Sequence, residues 1–168
     1  MSFNPKTFSQ IIQSKYIEYE TQIGEVFCHV FNRDKNKSDF ENFEFEIKHF
    51  DFFDYNKLDE KGLVELNLDQ AKSAIISSII KETKYDTHFI EWELGEKYSD
   101  ELLAEFEKVN KILSNASFNH KFYSENKVNE NELEMTDWVG FSRDYRYDYG
   151  FIIVSEKKIA ILWFGDEG

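Results

Sequence analysis

The sequence holds one cysteine, one proline and seven glycines in 168 residues. Each scarcity excludes something. The lone Cys28 cannot close an intramolecular disulfide and cannot build a cysteine-rich zinc site. So little proline and glycine leaves no room for long low-complexity linkers. No stretch reaches the roughly 20 apolar residues that a membrane-spanning helix needs. Behind Met1 there is no basic start followed by an apolar run, so no secretion signal is read. The compartment expected is the cytoplasm. Phosphate-cradling patterns of the G-x-G-x-x-G and G-x-x-x-x-G-K-[S/T] type are missing, as is the G-x-S-x-G elbow of the hydrolases. The four histidines, His29, His49, His88 and His120, lack the spacing of a zinc-protease helix. No metal and no cofactor is expected.

What the chain has in plenty is aromatic side chains and negative charge. Aromatics make up 17%, with 17 Phe, 9 Tyr and 3 Trp. Acids outnumber bases 33 to 20, a net charge of −13. Such a chain is repelled by nucleic acid and by anionic membranes, and attracted to basic surfaces. The plainer reading is that acidity keeps an aromatic-rich protein in solution. The charge is unevenly spread. Residues 86–137 carry 13 acids and 5 bases, a net −8 of the total −13. One group runs from Glu91 through Glu93, Glu96, Asp100 and Glu101 to Glu107. Another comprises Glu125, Glu130, Glu132, Glu134 and Asp137.

The most apolar runs lie near the C-terminus. Phe151 to Val154 and Ile159 to Phe164 are β-branched, aromatic and apolar on both sides. This predicts central strands, covered on both faces, over Gly150 to Ser155 and Lys158 to Phe164. A further strand is expected from Trp138 to Ser142, giving a three-stranded antiparallel meander. At the other end, Asn4 and Pro5 read as cap and first position of a helix. Its apolar stripe is Phe8, Ile11, Ile12, Tyr16 and Tyr19. Glu25 to Phe31 alternates as a strand, with Val26, Cys28 and Val30 opposite Phe27, His29 and Phe31. The alternation of Phe43, Phe45, Ile47 and His49 with Glu44, Glu46 and Lys48 predicts a half-exposed strand near Phe40 to Phe53. Asn67 and Gln70 open a well-buried helix through Leu68, Ala71, Ile75 and Ile79. Thr87 to Leu94 alternates as a strand ended by Gly95. Ser99 caps a third helix, with Leu102, Phe106, Val109, Ile112 and Leu113 on its apolar face. Ser124 to Glu134 reads as loop. The expected fold is α+β: one domain, residues 1–168, a mainly antiparallel sheet and about three helices.

Chemistry is harder to locate. His49, Asp51 and Asp54 are the set a small hydrolase would use, although in so acidic a chain close carboxylates arise by chance. Cys28, in an apolar strand, reads as inert. The segment Arg143 to Tyr149 is richer in interface residue types. Tyr145, Arg146 and Tyr147 fit the composition of binding hot spots.

Three stretches carry a resemblance: Trp138-Val139-Gly140-Phe141, Gly150 to Val154, and Ile161 to Glu167. With the acidity and the α+β pattern, the chain resembles the immunity proteins of bacterial contact-dependent inhibition and related polymorphic toxin systems. The resemblance implies a protein that binds and neutralises a toxin domain, often a nuclease with a basic substrate surface. On that reading the partner is basic, and the contact residues expected are Glu91, Glu93, Glu130, Glu132 and Glu134, anchored by Tyr145, Arg146 and Tyr147. Two other readings stand beside it: a small carboxylate–His hydrolase, and an acidic adaptor or nucleic-acid mimic acting on a basic host protein.

Overall fold

A computed structural model describes residues 3–18, 24–80, 92–120 and 131–166. Its four α-helices are α1 (Pro5–Glu18), α2 (Asp39–Ile47), α3 (Leu68–Ile80) and α4 (Trp92–Leu103). Its strands are β1 (Glu25–Asn32), β2 (Val64–Leu66), β3 (Val109–Ser114), β4 (Ala116–His120), β5 (Leu133–Trp138), β6 (Tyr147–Ser155) and β7 (Lys158–Asp166). The fold is α+β, with one helix more than expected. Among the described residues no helix is long and apolar enough to cross a membrane.

Five strands form one antiparallel sheet in the order β1-β7-β6-β3-β2. The two most apolar runs thus become strands at the centre, β6 and β7. A strand flanked on both sides and packed on both faces has no polar surface to present, which is why these runs do not alternate. One face carries Val26, Cys28, Phe151, Ile153, Ala160 and Leu162, under α1, α3 and α4. The other carries Ile152, Val154, Ile159, Ile161 and Trp163, under α2 and the segments around Phe52, Phe53 and Phe141. β4 and β5 pair in a separate two-stranded sheet.

Each helix start has a local cause. Asn4 Oδ1 accepts from Thr7 N at 3.0 Å, with Pro5 in the first turn. Ser38 and Glu41 form a reciprocal capping box at α2. Asn67 Oδ1 accepts from Asp69 N at 2.9 Å at α3, and eight residues of α3 are buried.

Five expectations are corrected. The strand expected near Phe40 to Phe53 is helix α2. Phe43 and Ile47, four apart, are buried, whereas Phe45 is 52% exposed with the Lys37 ammonium 3.7 Å from its ring centre. The alternation of Phe and Glu also fits a helix, and the capping box decides the matter locally. The third helix does not begin at Ser99. α4 already runs from Trp92, Ser99 is buried within it, and Val109 to Ser114 forms β3 between β6 and β2. Pairing with β6 outweighs the helical spacing of Val109, Ile112 and Leu113. Gly95 ends no strand; it is buried inside α4. Of the strand expected at Thr87 to Leu94, residues 87–91 lie outside the described residues. The strand expected at Trp138 to Ser142 is displaced. β5 ends at Trp138, and Ser142 makes only an isolated bridge to Phe53. Leu133 and Glu134, expected as loop, belong to β5.

Candidate binding surfaces

The acidic surface is built by α4. Gly95, Tyr98, Ser99 and Leu102 are buried. That fixes which side of the helix meets water. Glu93, Glu96, Asp100 and Glu101 are all exposed. With Lys97 and Ala104 they line one open depression of about 580 Å³. Four acids and a single base therefore share one continuous surface. The close approach of α4 to α3 depends on Gly95: a Cβ there would lie 2.5 Å from Ile80 Cγ2. At the edge of the surface Lys72 on α3 pairs with Asp100 at 2.8 Å. A hydrogen bond to Asp100 holds the Lys72 ammonium above its ordinary range, and the Asp100 and Glu96 charges add to the effect. A neighbouring cation thus feels the negative field of this helix.

The other expected contact residues are scattered. Glu91 and Glu130 lie outside the described residues. Glu134 is exposed on β5, beside α3. Glu132 is withdrawn from the surface at 1% exposure. Tyr145 lies on the sheet face opposite α4, packed on Phe52 with 5.6 Å between ring centres. Its hydroxyl donates to Glu25 Oε2 at 2.7 Å. The ring covers Gly165, where a Cβ would come within 2.4 Å of it. Tyr145 is thus a clasp between the 139–146 segment and the ends of β1 and β7. Arg146 is exposed, its guanidinium 5.3 Å from the Tyr147 ring centre. Tyr147 in turn packs on Trp138 at 5.1 Å.

One residue carries more contacts than the sequence pattern announces. Asp148 is 1% exposed at the start of β6. Its carboxylate accepts from Phe141 N at 2.9 and 3.1 Å, from Ser142 Oγ at 3.0 Å and from Trp163 Nε1 at 2.8 Å. Asn115 braces the same corner, donating to the carbonyls of Val139 and Asp148 and accepting from Gly150 N at 2.9 Å. A buried carboxylate is tolerable only when donors surround it in this way. The available sign in the sequence is a lone acid just before an apolar strand.

The residues of the hydrolase reading serve local structure. His49 is exposed after α2, its ring edge-on to Phe45. Asp51 is fully exposed, 3.8 Å from Arg143. Asp54 accepts from Asn56 N at 3.0 Å and caps a short 3₁₀ turn. A fully exposed carboxylate lacks the desolvated setting that general acid–base work uses. His29 bonds to Glu46 at 2.8 Å, between Phe31 and Phe50. His120 is exposed, and His88 lies outside the described residues. Among the described residues no group of three or more His, Cys, Asp or Glu side chains is placed to hold a metal ion. Cys28 is buried, and burial pushes its thiol up to about 12.

Comparison with known protein families, with curated proteins and with solved structures finds no match to this chain.

Proposed function

We propose that this chain is an immunity protein, a binding protein that neutralises a toxin domain, a nuclease with a basic substrate surface, by laying an acidic surface over it. The observation that carries the reading is the α4 surface: Glu93, Glu96, Asp100 and Glu101 exposed together, with Lys97 the base among them. A field of one sign, focused on one helix, attracts a basic partner and speeds its encounter. A nuclease surface shaped for phosphate presents the cations that this helix would meet. Glu134 extends the acidic character to β5, beside α3, and Arg146 with Tyr147 and Trp138 offers an aromatic anchor.

The experiment is affinity capture from the source cells with this protein as bait, at low and at high salt. The reading predicts capture of a basic toxin fragment that salt weakens. Capture of a housekeeping basic protein instead would favour the adaptor or mimic reading. Capture of nothing at either salt would count against a charge-driven binder.

A further inference from the structure

β1 closes one end of the five-stranded sheet. Its eight residues face β7 in unbroken register from Glu25 to Asn32. In such a ladder every second residue turns its N–H and C=O away from the neighbouring strand. Among the described residues β7 is the sole strand that pairs with β1, and no other element supplies a main-chain partner to Glu25–Asn32. Proteins blunt open edges by shortening them, or with bulges, proline or lysine. The opposite edge follows the first course, since β2 is three residues long. β1 has no proline, no lysine and no bulge.

This edge opens into a groove of about 480 Å³. Glu25, Val26, Phe27, Cys28 and His29, five residues in succession, all line it. Successive strand residues point to opposite faces. A groove that touches all five therefore runs along the backbone edge between the two faces. Lys6, Gln10 and Gln13 of α1 form one wall, and Phe50 stands with Phe27 on the other. An amide-rich wall, an aromatic wall and a row of open backbone groups fit an extended peptide better than a compact ligand.

We propose that this groove is a strand-addition site, in which an extended segment of another protein docks beside β1 as a sixth strand. Its alternate side chains meet Phe27 and Phe50 on one side and Lys6, Gln10 and Gln13 on the other. Two copies of this chain, each at −13, repel one another, which makes a different protein the better occupant than a second copy. The site depends on backbone pairing and not on the charge of α4, so this inference and the immunity reading can each fail alone.

The test uses the whole protein and a phage-displayed library of random linear peptides. Gln10→Cys places an accessible thiol at the groove, where buried Cys28 does not compete for a maleimide. Three results are expected. Enriched peptides alternate apolar and polar residues. They slow amide exchange within Glu25–Asn32. They lose about tenfold or more in affinity when Gln10→Cys carries a bulky maleimide, while the unlabelled variant binds as the parent does. Peptides that protect another region, binding indifferent to the label, or a library that yields no binder would each overturn the proposal. So would β1 amides that already exchange slowly at every position in the free protein. Sedimentation showing a dimer that protects β1 would replace the partner with a second copy and overturn the stated occupant.

Discussion

Asp148 decides how the 139–150 corner is held. Its carboxylate serves Trp163 Nε1, Phe141 N and Ser142 Oγ, all in a water-poor setting. Replacing it with Ala leaves those donors without an acceptor, and each such loss costs about 1–3 kcal/mol. Asp148→Ala is therefore expected to lower unfolding free energy by about 3 kcal/mol or more in a denaturant titration. A loss under about 1 kcal/mol would show that water replaces the carboxylate. At the same scale, Cys28 and Tyr149 set the alkaline limit. Burial raises both above their ordinary values, Cys28 from 9.0 to about 12, with Asp166 adding to the rise at Tyr149. A raised pKa means stability present below the ordinary value and lost as pH climbs through the shifted one. Stability should hold to about pH 9 and fall from there towards pH 12. The Cys28 thiol should ignore a disulfide reagent at pH 8 until the protein is unfolded; immediate reaction in the native state would contradict the burial.

Helix α4 is the element on which the acidic surface depends, and Gly95 is its weak point. Alanine favours a helix over glycine by about 1 kcal/mol. Here, however, the added Cβ meets Ile80 Cγ2 at 2.5 Å and Ile76 Cγ2 at 3.2 Å. Overpacking costs about 1–3 kcal/mol. Gly95→Ala should thus destabilise the protein despite better helix propensity, and a gain in melting temperature would show that α3 and α4 can separate freely. Elements also mark what was legible in the sequence. β6 and β7 stand out because strands covered on both faces are apolar throughout. β1 stands out by strict alternation, and α1 and α3 by spacing and caps. The segment now α2 satisfies two periods at once, since Phe43, Phe45 and Ile47 alternate while Phe43 and Ile47 also lie one helical turn apart. Its Ser38-x-x-Glu41 box was the signal that separates them. β3 could not be read, because its partners β6 and β2 are distant in the chain.

At the scale of the whole molecule, composition made the acidity plain but not its arrangement. Glu93 and Glu96 were legible as acids. They join Asp100 and Glu101 on one surface because Trp92 to Leu103 is a single helix, packed closely on α3 at Gly95. Burial of Glu132 and the placement of Tyr145 on the opposite face likewise follow from sheet order, which no local pattern contains. The surface should act as a field more than as a set of contacts. Its effect then belongs to association rate and to salt dependence.

The measurement that tests this account most directly is the association rate of the captured partner with the parent protein and with Glu93→Lys, Glu96→Lys, Glu101→Lys combined. Asp100 stays in place, so its ion pair with Lys72 is kept. The account predicts a fall of about 10- to 1000-fold at low salt, narrowing as salt is added. An unchanged rate, in a variant shown to fold like the parent, would mean that the acidic face of α4 is solvated surface and that the partner binds elsewhere.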